Sequence, residues 1–192
     1  MKRLVAAAVA VGLMFSLSAC SNDPLAAQFR DGSNKNYVAG DGSVTEFRGE
    51  LTSGTPWEST TFDGQSVSSK SLLGHVTVLN FWYAGCAPCR AETPDLAKIA
   101  SQYESKGVYV VGVNVRDTAA TALAFARTHK LNYPSVMDIE TGAVVQAYTG
   151  VVSPSAVPTT LVINAKGEVT ARVLGRFEPG TLRSLIDTAL KG

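Results

Sequence analysis

From residue 56 onward the apolar positions change period several times, and each change marks an element. His75 to Trp82 is mostly apolar on both faces, the mark of a central buried strand. Beyond it Leu96, Ile99, Ala100 and Tyr103 fall at i, i+3, i+4 and i+7, one stripe of a helix that Gly107 ends. Val108 to Val115 is a second buried strand, mostly valine with one glycine. Asp117 or Thr118 can cap a helix running to about Lys130, with Ala119, Ala122, Leu123 and Ala126 on one face. A short strand near Ser135 to Met137 precedes a turn at Thr141-Gly142. Thr160 to Ile163 and Glu168 to Leu174 flank Asn164-Ala165-Lys166-Gly167 and read as a hairpin. Pro179 suits the first turn of a last helix whose stripe is Leu182, Leu185, Ile186, Ala189 and Leu190. Ahead of all these, Trp57 to Phe62 is a short strand turned by Asp63-Gly64. The order predicts an α/β domain over residues 55–192, a mixed sheet covered by helices on both faces.

The first 54 residues follow another pattern. Lys2 and Arg3 precede an unbroken apolar or small run from Leu4 to Leu17. That run is too short to cross a hydrocarbon layer of about 30 Å at 1.5 Å per residue, and it reads as a secretory signal peptide over 1–19. It ends in Leu17-Ser18-Ala19-Cys20, which resembles the lipobox of bacterial lipoproteins. The resemblance implies cleavage before Cys20, lipid on its thiol and amino group, and a domain held at the extracytoplasmic face of the cell membrane. Residues 20–54 are rich in Gly, Ser, Asn and Asp with no apolar period, and read as a tether. The alternative is an N-terminal β extension folded onto the domain.

Composition narrows the function. Apolar residues at 45% and charged residues at 17% exclude a disordered chain. A net charge of +1 gives nucleic-acid binding no electrostatic support. Three cysteines are too few for a disulfide-framed miniprotein. Once Cys20 is lipidated, Cys86 and Cys89 remain, in a compartment that permits disulfides.

Those two lie in Asn80-Phe81-Trp82-Tyr83-Ala84-Gly85-Cys86-Ala87-Pro88-Cys89-Arg90, where a central strand hands over to a helix. Cysteines three apart at a helix start share a face. At that position Cys86 meets backbone N–H groups with no intrahelical partner, which favour an exposed, reactive thiolate. Such a thiolate attacks a disulfide, and Cys89, one turn deeper, resolves the mixed disulfide. Half of a zinc site is a poor alternative, because no second CxxC exists and His75 and His129 sit far apart in different elements. A purely structural disulfide gains little from so short a loop. Neither metal nor cofactor is expected.

Here the sequence resembles the thioredoxin-like superfamily, and within it the TlpA/ResA branch of membrane-tethered thiol–disulfide oxidoreductases. The resemblance covers roughly Pro56 to Leu190. It rests on Asn80-Phe81-Trp82 with Cys86-Ala87-Pro88-Cys89, on Val157-Pro158-Thr159-Thr160 before a strand, and on the stretch between Val115 and Ser135, which resembles the branch's insertion. It implies that Cys86 attacks and Cys89 resolves. It also implies that Pro158 is cis beside the pair, and that the Val157 backbone pairs with a substrate strand. Trp82 would shield the pair; plain core packing is the alternative. Pro94 should kink the helix, or break and restart it. Glu92, three residues after Cys89, would assist proton transfer, and this matters because Asn80 stands where thioredoxin has a buried aspartate. The alternative for Glu92 is a surface residue of the first turns. Arg90 reads as a solvated helix residue and His75 as structural. Tyr83 stands where a peroxiredoxin-like site would want threonine, which argues against peroxidase chemistry.

The leading expectation is a lipid-anchored thiol–disulfide oxidoreductase. Its resemblance implies reduction of the CxxCH cysteines of apocytochrome c, with electrons from a membrane reductant of the CcdA or DsbD type. Other expectations from the same residues are an oxidant or isomerase for secreted proteins, or an anchored binding module without turnover.

Overall fold

The computed structural model describes residues 40–48, 52–153 and 156–192. The signal peptide, Cys20, most of the expected tether and Pro154 lie outside the described residues. Chain order is β1 (Asp41–Glu46), β2 (Thr52–Ser53), β3 (Glu58–Thr60), β4 (Ser66–Ser68), α1 (Ser69–Leu72), β5 (Thr77–Trp82) and α2 (Ala87–Glu104). There follow β6 (Tyr109–Asn114), α3 (Ala119–His129), β7 (Ser135–Met137), α4 (Ala143–Ala147), β8 (Thr159–Ile163), β9 (Glu168–Gly175) and α5 (Pro179–Ala189). Among the described residues the main sheet runs β1-β9-β8-β5-β6-β7, with β2 also on β9, and β3–β4 form a separate hairpin. β5 is parallel to β6 and antiparallel to β8, so the sheet is mixed, as the alternation of elements predicts. The fold is thioredoxin-like.

β5 is buried at all six positions because it lies between β6 and β8 with helices over it. On the face that carries Val78, α2 and α5 deliver Leu96, Ile99 and Tyr103, and Leu182, Leu185 and Ile186, into one apolar cluster. At about 25 cal/mol per Å² of apolar surface, this cluster is the main stabilising term that fixes α2, and with α2 the cysteines, on the sheet. Capping sets the helix starts. Thr118 Oγ1 accepts from Thr121 N at 3.3 Å, and Glu178 Oε2 from Thr181 N at 2.8 Å, with Pro179 in the first turn of α5. Of the two cap candidates for α3, Thr118 does the work and Asp117 is left for another task. The single glycine of β6 has a packing reason. A Cβ on Gly112 would stand 2.6 Å from Ser135 Oγ and 2.9 Å from Trp82 Nε1.

Several expectations change. The tether over 20–54 is too long at its C-terminal end: β1 and β2 pair antiparallel with β9, and Phe47 N donates to Thr170 O at 2.9 Å. The segment is held by backbone bonds and buries little, so no apolar period announces it. Two short helices, α1 and α4, were not foreseen. α1 is held by a Ser68–Ser71 capping box, and α4 follows the Thr141-Gly142 turn with Val144 and Val145 N–H groups donating to the Asp138 carboxylate. On α3 the buried face is Ala122, Phe125 and Ala126, while Ala119 is exposed and Leu123 half-buried. Leu190 follows α5 and is exposed. The strands predicted at His75 and Trp57 begin two residues and one residue later.

Candidate active site

Cys86 and Cys89 are joined in a disulfide, with Cα atoms 5.2 Å apart. Cys86 is the N-cap of α2, and its Sγ accepts from Cys89 N at 3.2 Å. Ala87 and Pro88 form the first turn, where the absent proline N–H costs nothing. Both cysteines are buried, at 0% and 1% exposed. That corrects the expectation of an exposed Cys86. In the oxidised pair its sulfur turns inward over the first helical turn, and exposure passes to Gly85, Ala87 and Arg90. α2 runs unbroken through Pro94, and Thr93 Oγ1 donates to Cys89 O at 2.8 Å just before it.

A polar cluster joins α2, β5, β8 and the turn before α5. Glu92, 1% exposed, has its carboxylate inside the fold. Its Oε1 accepts from Asn80 Nδ2 at 2.8 Å, and its Oε2 from Phe177 N at 3.3 Å. Asn80 Nδ2 also donates to Thr160 Oγ1 at 3.0 Å. Burial pushes the Glu92 carboxyl up to about 8, against the pull of the Asn80 and Phe177 donors and of Arg176. Burial, with the Glu92 charge added, also raises the Tyr133 hydroxyl. Glu92 is therefore a buried acid and not a surface residue of the first turns. The sequence names Thr160 only as part of the proline segment and of a strand, and gives Phe177 and Tyr133 no role at the site. Nothing local marks these contacts: Phe177 reaches Glu92 from the turn before α5, Thr160 on β8 reaches it only through Asn80, and Tyr133 in the loop before β7 feels its charge.

The Val157–Pro158 bond is cis, and Val157 and Pro158 are buried. Pro158 O accepts from Gly175 N at 2.8 Å, which ties this segment to β9. Trp82 does not spend its indole on solvent or on the sulfurs. Its N–H donates to Ser135 Oγ at 2.9 Å, and its ring packs at 4.7 Å on Phe125, which stacks on His129. The packing reading of Trp82 is the one these contacts favour. His75 is structural, with Nδ1 3.2 Å from Gly107 O and its ring edge-on to Tyr109.

A second grip comes from the corner after β6. Parallel pairing sets Trp82 opposite Asn114, so the loop before Cys86 runs beside the loop before α3. Asp117 Oδ2 accepts from Ala84 N at 2.7 Å and from Asn114 Nδ2 at 2.8 Å. The Arg116 guanidinium lies 4.8 Å over the Tyr83 ring. The sequence offered Asp117 only as a cap candidate; its actual role depends on strand register.

Comparisons with known proteins agree with this chemistry. Residues 52–172 match the AhpC/TSA family. The thiol-disulfide oxidoreductase ResA of Bacillus subtilis is 35% identical over 130 residues, 68% of this chain and 70% of that protein. ResA of Halalkalibacterium halodurans is 34% identical over 107 residues, 56% of this chain and 58% of that protein. Among solved structures, a DsbF homologue from Corynebacterium diphtheriae superposes with a TM-score of 0.69 at 30% identity, covering 78% of this chain and 94% of that one. A thioredoxin-family thiol:disulfide interchange protein from Chlorobium tepidum gives 0.67 at 27% identity, covering 75% and 99%. With a CxxC pair joined at the head of a helix on a thioredoxin-like sheet, the chain belongs to the AhpC/TSA family and is a thiol–disulfide oxidoreductase of the ResA kind.

Proposed function

We propose that this protein is a lipid-anchored reductant at the extracytoplasmic face of the cell membrane, which keeps the CxxCH cysteines of apocytochrome c as thiols. The observation that carries the proton chemistry is the buried Glu92 carboxyl, held by Asn80 and Phe177 and raised to about 8. An acid that titrates near neutral pH can both give and take a proton there, which is the condition for general acid–base work.

The reduced protein attacks with Cys86. A bond forms between its sulfur and one substrate sulfur, and the other substrate sulfur leaves with the bonding electrons. Glu92 then takes the Cys89 proton. Cys89 attacks the Cys86 sulfur, the mixed disulfide breaks, and the substrate departs with two thiols, one protonated by Glu92 with the Cys89 proton and one by solvent, which received the Cys86 proton. The protein is left with the Cys86–Cys89 disulfide, two electrons poorer, and a membrane dithiol of the CcdA or DsbD type restores it. Val157, beside the cis peptide, supplies backbone groups for a substrate strand. The Cys20 anchor and the chain between it and β1 keep the domain near its membrane donor.

Replacing the resolving thiol by Cys89→Ser should accumulate a mixed disulfide between Cys86 and an oxidised CxxCH peptide. No trapped species would exclude Cys86 as the attacking thiol. A reduction potential near or below about −230 mV supports the reductant. A potential nearer −120 to −180 mV would overturn it and favour oxidation of secreted proteins.

A further inference from the structure

We propose that Asp117 is a positioning residue for the redox pair, fixing the loop that leads into Cys86 through a single carboxylate oxygen. The inference rests on the reading of Cys86 as the attacking thiol and adds to it a device from outside the CxxC helix.

Tyr83, Ala84 and Gly85 join β5 to the N-cap cysteine. A loop of this kind has backbone donors that neither strand nor helix can satisfy, and a free loop would let Cys86 wander from Cys89. The corner after β6 removes that freedom in three contacts. Val115 N donates to Trp82 O at 3.1 Å, which carries the pairing one step past the end of β6. Ala84 N donates to Asp117 Oδ2 at 2.7 Å. The Arg116 guanidinium lies 4.8 Å over the Tyr83 ring, and a Cβ on Gly85 would come 3.1 Å from that ring. Asp117 is itself held. Asn114 Nδ2 donates to the same Oδ2 at 2.8 Å, while Asn114 Oδ1 accepts from Arg116 N at 3.1 Å and Asp117 N at 2.8 Å. The grip thus runs from the end of β6, through one asparagine, to one oxygen, to the peptide two residues before Cys86.

Both hydrogen bonds end on Oδ2. A carboxamide oxygen has two lone pairs and can accept both. Asp117→Asn therefore keeps the grip and removes the charge, whereas Asp117→Ala removes the grip. The readout is the equilibrium in which the Cys86–Cys89 dithiol and oxidised glutathione give the Cys86–Cys89 disulfide and two reduced glutathiones. Its constant measures how well the fold presents one sulfur to the other, the effective concentration that preorganisation supplies. A residue that merely stabilises the fold equally in both redox states leaves it unchanged.

In the full-length protein, Asp117→Ala should lower this constant roughly five- to tenfold, the scale set by losing two hydrogen bonds at one oxygen. It should also slow attack by Cys86 on a small aromatic disulfide. Asp117→Asn should restore both to within about twofold of the parent. An unchanged constant in Asp117→Ala, measured on protein shown to be folded by its near-ultraviolet dichroism, overturns the inference. So does an Asp117→Asn variant as impaired as the alanine. Should Asp117→Ala not fold, Tyr83→Leu removes the Arg116 contact and must lower the constant in the same direction; no change there also overturns it. If the parent itself is attacked and trapped at Cys89 instead of Cys86, the reading beneath the inference fails, and that outcome is visible before any variant is made.

Discussion

Replacing Glu92 by glutamine should make the oxidised protein more stable at pH 8 and slightly less stable at pH 4.5. The reason lies in the two ends of folding. In the unfolded chain Glu92 titrates near its ordinary 4.5; in the fold burial raises it to about 8. Between those values the native state holds a proton that the unfolded state has released. Stability then falls as pH rises, at about 1.4 kcal/mol per unit. Over this window the loss sums to ~5 kcal/mol, complete once the folded carboxyl ionises. Glutamine has no such loss. It keeps an oxygen for Asn80 Nδ2, 2.8 Å from Oε1, but turns an amide NH₂ toward Phe177 N, 3.3 Å from Oε2, which costs about 1 kcal/mol.

The net expectation is a gain of about 3–4 kcal/mol at pH 8 and a deficit of about 1 kcal/mol at pH 4.5, with the two stability curves crossing between. Urea titrations of the oxidised protein at half-unit steps from pH 4.5 to 8.5, followed by tryptophan fluorescence, give both curves. For a domain of this size a 3 kcal/mol gain is also about 6–12 °C in Tm. A parent whose stability is flat across this window, or a glutamine variant with the parent's slope, would refute the buried-acid argument. On the proposed mechanism the same variant should slow turnover, since glutamine cannot take the Cys89 proton. Stability and activity should therefore move in opposite directions.

Three further outcomes follow from the same contacts. Asn80→Asp would set a second carboxyl 2.8 Å from Glu92 Oε1, so one of the two must stay protonated; the urea midpoint at pH 8 should drop by more than at pH 5. Gly112→Ala would push a methyl against Ser135 Oγ and Trp82 Nε1, at 2.6 and 2.9 Å, and should cost about 1–3 kcal/mol, read as a urea midpoint shift with an unchanged slope. Breaking the exposed Lys98–Asp95 ion pair, 3.5 Å long, by Lys98→Ala should change stability by under about 1 kcal/mol, a control for these larger effects.

What was legible in the sequence divides by the range of the interaction that encodes it. Leu96, Ile99 and Tyr103, and Leu182, Leu185 and Ile186, announce α2 and α5 because apolar burial writes a period into the chain. Cys86 and Cys89 are visible because a helix start imposes their spacing. β1 was not visible: it lies at the sheet edge, is held by backbone bonds to β9, and carries Asp41, Ser43, Thr45 and Glu46. α4 depends on Asp138 accepting two N–H groups six and seven residues on, which no short motif records. The partners of Glu92 are distant in sequence, Phe177 by 85 residues, so the acid could be proposed from its offset to Cys89 while the groups that tune it could not. The burial of Cys86 accompanies its disulfide with Cys89, a pairing that the sequence alone does not place in space.

The site has one organising strand. β5 ends beside Cys86, and its Asn80 reaches Glu92 on α2 and Thr160 on β8 with one amide nitrogen. Its Trp82 sits opposite Asn114, the residue that holds Asp117, and Asp117 holds the loop that β5 becomes. Its antiparallel partner β8 begins with Thr159, next to the cis proline. An aspartate at position 80 would bring acid and scaffold together in one residue. Asparagine separates them. The amide carries no charge that could oppose ionisation of its neighbour, so it can donate to Glu92 in either protonation state. On the proposed mechanism the proton is left to Glu92, on the same helix as the thiols. Acid and thiols thus share α2, and the contacts that tie the acid to the rest of the fold are the hydrogen bonds from Asn80 and Phe177. The pH dependence of the parent's disulfide exchange and its stability curve should accordingly share one titrating group, and Glu92→Gln should remove it from both.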